Sequence, residues 1–364
     1  MRRIKIVIIG AGHMGQLAHL LNYVQLPEMC EIVSLCDVKI NQAQHLANQW
    51  GIPHVTADYK ELLANPDIEA VLCVQHFENH VVLVPEILKA GKHVFTEKPL
   101  CVFPHNAETL AQLAKESGKI HMVGYHKRSD PAVEHALKVI TQWKQSGEFG
   151  KMTYVRLCMP PGNYRKDADM HYTTSEPPGY VPEEPRPDGM DDATRHRMIW
   201  FVNYYIHQVN LMRYLMGEDY EMTYADRYFL STKSQSGVNG ILELDTYETS
   251  VDWQEHALVC FEKAWLRIDL TAPLATQLAG TVTIYKDKGA NSTFEHPVMP
   301  NVCPMRNQAK NFLLAVAGEK PVPCLSAEAV KDLQIAAEYI KRTDASGHTA
   351  VPYHQRNIMK IINK

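Results

Sequence analysis

The chain has no long apolar run: nothing approaches the ~20 residues needed to cross a bilayer, so no membrane span is expected. It has no basic excess either. Lys plus Arg number 37 against 41 for Asp plus Glu, a formal net charge of -4. No basic run or aromatic–basic interleaving offers a nucleic acid or an anionic membrane a footing. The eight cysteines (30, 36, 73, 101, 158, 260, 303 and 324) stand singly, with no CxxC pair. Scattered through apolar segments, they read as reduced core residues, which points to the cytoplasm. Histidines number 18, but no HxxxH or HxxE spacing pairs them convincingly, so no metal is expected. Internal repeats and low-complexity tails are also missing.

What remains is an ordinary globular composition, 45% hydrophobic and 21% charged over 364 residues. At ~150 residues per domain that length suggests about two domains. The opening MRRIKIVIIGAG has the basic start of a signal peptide. Its apolar run is only Ile6 to Ile9 and glycines follow at once, so it reads as a buried strand entering a turn.

Up to Gly150, β-branched runs alternate with helical patterns. Strands are expected at Lys5–Ile9, Ile32–Asp37, Ala70–Val74, His93–Thr96 and Ile120–Tyr125. Leu17, Leu20, Leu21 and Val24 share one face of a first helix, and another begins near Asn79 and ends at Gly91. Such alternation builds right-handed βαβ units on a doubly wound parallel sheet. After Gly150 the pattern changes. Met152–Leu157 reads as a strand, and residues 160–198 form a long loop rich in proline. A helix is expected at Trp200–Met216. Strand-like runs follow at Glu221–Leu230, Gly240–Asp245, Ala257–Phe261, Trp265–Leu270 and Thr281–Tyr285, a mostly antiparallel sheet. Helical patterns at Met305–Ala317 and Ala327–Tyr339 close the chain.

Directly after the first strand comes Gly10-Ala11-Gly12-His13-Met14-Gly15, a G-x-G-x-x-G sequence opening a helix. Glycines there permit a tight turn and close approach of backbone to a pyrophosphate, and the helix N-terminus offers N–H donors. Asp37 ends the second strand, where a carboxylate accepts hydrogen bonds from a ribose diol. A carboxylate there repels the 2′-phosphate of NADP, and no arginine follows it. NAD is therefore expected over NADP, although Lys39 could still clamp a phosphate.

The segment Asn79-His80, followed by Ala90-Gly91-Lys92-His93-Val94-Phe95-Thr96-Glu97-Lys98-Pro99, resembles the Gfo/Idh/MocA family of glucose-fructose oxidoreductase and inositol dehydrogenase. Tyr125-His126-Lys127-Arg128 before Pro131 is similar to the family's segment after its sixth strand. The resemblance implies an α/β chain. Residues 1–125 would be a Rossmann domain with a doubly wound parallel sheet. Residues 126–350 would be an α+β domain with an open, mostly antiparallel sheet for substrate and oligomer contacts, and 351–364 a tail. It implies cofactor contacts at Asn79, His80, Glu97 and Lys98. It also implies a sugar, glycoside or cyclitol substrate, and a homodimer or homotetramer formed through the second sheet.

Oxidising a secondary alcohol requires a proton to leave oxygen as a hydride leaves carbon. A fixed ammonium beside that oxygen stabilises the developing alkoxide, and Lys98 matches the family's EKP lysine. The family places an Asp-x-x-x-His pair on the helix of its second domain. Here the match is Asn203-Tyr204-Tyr205-Ile206-His207, which spacing would put on one helical face. His207 is the expected general base. Asn203 keeps only hydrogen bonds where the family has a carboxylate. Within the 160–198 loop, Tyr164, Arg165, Asp169, His171, Tyr172, Arg195, His196 and Arg197 suggest a lid or substrate collar, with a spacer or an arm onto a neighbouring subunit as the alternatives. Trp200, His126 and Arg128 complete the expected substrate contacts. A redox-neutral NAD-dependent glycosidase and a non-catalytic nucleotide-binding sensor are the alternative readings.

Overall fold

The structure, a computed structural model, describes residues 2–165, 171–244 and 246–345. Asp169 and the expected 351–364 tail lie outside the described residues. Two sheets organise the fold. The first has six strands: β1 (Ile4–Ile9), β2 (Cys30–Cys36), β3 (Val55–Thr56), β4 (Ala70–Cys73), β5 (His93–Glu97) and β6 (His121–Gly124). They run parallel in the order β3-β2-β1-β4-β5-β6. Helices cover both faces, so β1 reads IKIVII and β4 reads AVLC with almost every residue buried. The order reverses between β1 and β4. That switch point opens the crevice in which such sheets bind ligands.

The second sheet has eight strands: β7 (Met152–Cys158), β8 (Tyr220–Ala225), β9 (Phe229–Ser234), β10 (Asn239–Glu243), β11 (His256–Phe261), β12 (Ala264–Asp269), β13 (Thr281–Lys286) and β14 (Thr293–Glu295). Its order is β14-β13-β12-β11-β7-β10-β9-β8. It is mixed: β7 pairs with β10 in parallel and with β11 antiparallel. Alternate residues such as Ala257, Val259, Leu266 and Ile268 are buried against helices, including Pro131–Ser146 and Ile206–Met216. The opposite face carries an aromatic trio, Trp265, Tyr285 and Phe294, with ring centroids 5.0 to 6.0 Å apart.

Two expected elements divide. Glu221–Leu230 is a hairpin rather than one strand, because the Asp226 carboxylate accepts the Tyr228 and Phe229 N–H groups at 2.7 and 2.8 Å and turns the chain. The helix expected from Trp200 begins earlier, at Asp192, where the Asp191 carboxylate caps it through the Thr194 N–H at 2.7 Å. It then stops at Tyr204, and a second helix starts at Ile206. Tyr205 sits between them at φ -99, ψ -3.

The last helices return to the first sheet. Ala309, Phe312 and Leu313 of Pro304–Val316 pack in one cluster with Ile4, Ile6, Ile8 and Leu20. Burying Phe312 alone contributes about 2–3 kcal/mol by area. Leu325 forms a β-bridge with Met122 beyond β6, just before helix Ser326–Ala345. The boundary at 125 therefore separates the sheets but not their cores. None of the described helices is long and apolar enough to cross a membrane.

Candidate active site

The glycine loop leaves β1 at the switch point. Gly10 has φ +116, and a Cβ there would meet the Val74 carbonyl oxygen at 2.0 Å. A Cβ on Gly15 would meet the Gly10 oxygen at 2.2 Å. These two glycines are demanded by the protein's own backbone. Gly12 is different: a Cβ there would meet nothing within 4 Å. Its bare surface faces a space fit for a close-lying ligand. His13 and Met14 follow at the helix start, and the His13 Nε2 is buried without a protein partner among the described residues. Burial, then Arg165 and His171, bring the His13 imidazole down to about 4, so it is neutral at pH 7. Asp37 anchors the loop, its carboxylate accepting the Ala11 N–H at 2.6 Å and the Lys39 N–H at 2.9 Å. Each oxygen keeps a lone pair for a diol.

Further along the same sheet edge, Glu97 and Lys98 end β5. Burial pushes the Glu97 carboxyl up, but the His19 hydrogen bond at 2.6 Å, the His19 charge and Lys98 outweigh it and hold it below the usual range. Lys98 donates from Nζ to the main-chain carbonyl of Asn203 at 2.5 Å. Burial, opposed by Glu97 and aided by Lys127, brings its ammonium down to about 8. Just past that carbonyl lies His207, its ring 4.6 Å from that of His126 in edge-to-face contact. Burial first, then His126, Lys98 and Lys127, hold His207 well below the usual imidazole range. Its Nδ1 is buried and finds no hydrogen-bond partner among the described residues. A neutral, unpartnered imidazole near an ammonium can act as an acid–base pair.

The model for the oxidoreductase family with an NAD-binding Rossmann fold, GFO_IDH_MocA, matches residues 4–125. Over those residues the chain is similar to the Gfo/Idh/MocA oxidoreductases. Among its relatives, the oxidoreductase YrbE of Bacillus subtilis (strain 168) is 24% identical over 258 residues, 71% of this chain and 66% of that protein. Inositol 2-dehydrogenase of Salmonella typhimurium (strain LT2) is 24% identical over 287 residues, 75% of this chain and 74% of that one. The solved structure of levoglucosan dehydrogenase with NADH and levoglucosan superposes with a TM-score of 0.72 at 15% identity. That match covers 94% of this chain and 98% of the other, and shows the shared fold.

Other expected site residues are held by partners within the chain. Arg128 is buried beneath the site, donating to Asn210 Oδ1 at 2.7 Å and paired with Glu328 at 2.7 Å. Its charge is spent on holding helices together, which corrects the expectation of a substrate contact. Arg197 pairs with Asp344 at 2.5 Å on the closing helix. Trp200 packs edge-on against Tyr205, their centroids 5.3 Å apart. His80 is fully buried and bonds the Leu100 carbonyl through Nδ1 at 2.9 Å, so it supports the Lys98 turn from below rather than touching a cofactor. Asn79 bonds Gln75 at 3.4 Å near the glycine loop. Asn203 lies near the end of one helix and His207 near the start of the next, with Tyr205 between them. The Asn203 side chain is exposed, and its main chain makes the link to Lys98.

A second ion pair under the site escaped the sequence reading. Lys127 Nζ meets Glu255 Oε2 at 2.5 Å with both side chains buried, and Gln208 Nε2 donates to Glu255 Oε1 at 2.7 Å. Glu255 stands far from any motif, and only the three-dimensional fold brings it to Lys127.

The 160–198 segment also takes an unexpected course. Tyr164 lies at the glycine loop, its ring 6.4 Å from that of His13, and His171 stands 3.4 Å from His13 Nδ1. The chain then crosses the first sheet's ligand edge. Tyr172 pairs with the Gln16 amide in both directions at 2.8 and 2.9 Å and stacks on His45 at 3.7 Å. Glu184, fully buried, accepts the Val102 and Phe103 N–H groups at 2.6 and 3.1 Å. Arg195 pairs with Glu78. The described residues of this segment form a strap over the nucleotide edge, where a lid or substrate collar was expected.

Proposed function

We propose that the chain catalyses the reversible oxidation of a ring hydroxyl of a sugar, glycoside or cyclitol, with NAD as the preferred cofactor. The observation that carries this reading is Lys98 moored on the Asn203 carbonyl near the buried, unpartnered Nδ1 of His207, on the edge that also presents Gly12. Gly10, Gly12, His13, Met14 and Gly15 would hold the dinucleotide's phosphates and Asp37 its ribose. The open space at Gly12 and the unpartnered His13 Nε2 fit such a ligand. When bound, the dinucleotide supplies the acceptor or donor of hydride.

The chain's own groups handle the proton. His207 Nδ1, neutral at physiological pH, accepts the hydroxyl proton. Lys98 is mostly protonated at pH 7, and with one N–H on Asn203 it keeps two for the substrate oxygen. The Lys127–Glu255 pair is self-neutralising and keeps the floor of the site polar without competing for the proton. The named activity of inositol 2-dehydrogenase and the ligand of levoglucosan dehydrogenase support a polyhydroxylated ring as substrate. We also propose that the Trp265, Tyr285 and Phe294 face pairs with a second copy of the chain. Light scattering that finds only monomers would refute that pairing.

Incubation with NAD and a panel of inositols, anhydrosugars, aldoses and aryl glycosides tests the reaction. NADH formed in step with consumed substrate supports it. Phenol released from aryl glycosides without net NADH would replace it with the redox-neutral glycosidase. Thermal stabilisation by a sugar with neither signal would leave only a sensor.

A further inference from the structure

In doubly wound domains the end of the second strand lies beneath the adenosine ribose, and what stands there decides between a 2′-hydroxyl and a 2′-phosphate. Here β2 is followed by helix Ile40–Trp50, whose preceding residue, Lys39, provides no side-chain cap. A helix start with free N–H groups and a lysine beside it is well suited to an anion. Left alone, it would offset the effect of Asp37 and welcome a 2′-phosphate.

It is not left alone. Glu176 reaches it from the strap. One carboxylate oxygen accepts the Asn41 N–H at 3.1 Å and the Asn41 Nδ2 at 3.0 Å. The other accepts the Gln42 N–H at 3.2 Å and the Thr174 hydroxyl at 2.8 Å. Burial pulls the Glu176 carboxyl upward, but these bonds and Lys39 outweigh it and hold it ionised at neutral pH. The strap around Glu176 is seated on both sides. Tyr172 is fixed on Gln16 and His45 upstream, and downstream a Cβ on Gly179 would stand 3.0 Å from a Val38 methyl. The placement is therefore part of the fold.

We propose that Glu176 is a specificity-determining residue: it occupies the donors after β2 that would bind a 2′-phosphate and, with Asp37, sets a second negative charge there, so that the chain selects NAD. The inference rests on the reading that the glycine loop binds a nicotinamide dinucleotide. A 2′-phosphate would have to displace four hydrogen bonds of Glu176 and then stand among like charges. The 2′-hydroxyl of NAD needs only the free lone pairs of Asp37.

The test titrates the full chain with NADH and NADPH by fluorescence, with no turnover required. Wild type should bind NADH about tenfold or more tightly than NADPH. Glu176→Gln keeps the shape and loses the charge, and Glu176→Ala opens the helix start. Both should narrow that ratio by about tenfold through tighter NADPH binding, with NADH affinity changed by less than about threefold. Adding Lys39→Ala to Glu176→Ala should reverse the gain. NADPH binding no tighter in either variant, with NADH binding normal, overturns the proposal. So does a wild type that binds both equally, or loss of NADH binding in both variants. A wild type that binds neither dinucleotide instead overturns the reading beneath it.

Discussion

Replacing Lys98 by Met removes the ammonium while keeping most of the apolar stem. The size of the effect follows from three features of the site. Lys98 keeps N–H groups for a substrate, whereas Lys127 is spent on Glu255 at 2.5 Å. Its Nζ is fixed at 2.5 Å from the Asn203 carbonyl, so no reorganisation is needed when charge develops on the substrate oxygen. Glu97 tempers its field and Lys127 sharpens its wish to donate. Losing one such preorganised donor costs about 2.7–4 kcal/mol of transition-state stabilisation, or roughly 10²- to 10³-fold in kcat. NADH affinity should change by less than about threefold, because the glycine loop and Asp37 do not depend on Lys98. The assay is steady-state kinetics in the oxidative direction across pH, with NADH binding measured in parallel. Because the ammonium sits at about 8, the wild-type rate should be level near neutrality and fall as pH rises through 8. Lys98→Arg should remove that alkaline fall, since a guanidinium does not deprotonate there. A Lys98→Met rate within about tenfold of wild type, or an alkaline limb unchanged in Lys98→Arg, would refute the role.

Other outcomes follow from the same geometry. Gly12→Ala should melt like wild type, because its Cβ meets only open space, yet lose NADH affinity by about tenfold or more. Gly10→Ala should lower the melting temperature, because its Cβ would meet Val74 oxygen at 2.0 Å on a backbone of φ +116. Equal behaviour of the two in binding and melting would count against the ligand assigned to Gly12. Glu255→Gln leaves Lys127 buried without its counter-charge and should destabilise the fold by about 3–5 kcal/mol in urea titration. His207→Gln should cut kcat by about 10²-fold or more with little change in NADH binding, as seen by stopped-flow and fluorescence.

Local patterns made the first domain legible. A buried run entering glycines, Asp37 closing the next strand and the Glu97-Lys98-Pro99 turn each depend on residues close in sequence, and the strands fall within about two residues of expectation. Only β3, two residues long, left no pattern to find. The second domain was harder because its decisive contacts are long-range. Asp226 and Asp191 act through caps and turns that override the apolar period, dividing one strand and moving a helix start. Lys98 and His207 were readable from motifs, whereas Glu255, which needs Lys127 and Gln208 to find it, was not. The strap misled most. Its tyrosines, arginines and carboxylates suit a sugar as well as they suit the Rossmann edge, and composition cannot tell which surface a proline-rich segment will lie against.

The break at Tyr205 has a consequence for how this site can change over time. An unbroken helix would commit the carbonyl of residue 203 to its own next turn; the interruption hands that oxygen to Lys98. A peptide oxygen belongs to whatever amino acid occupies the position. Residue 203 can thus be exchanged, and the contour offered to a ligand redrawn, while the ammonium keeps its berth.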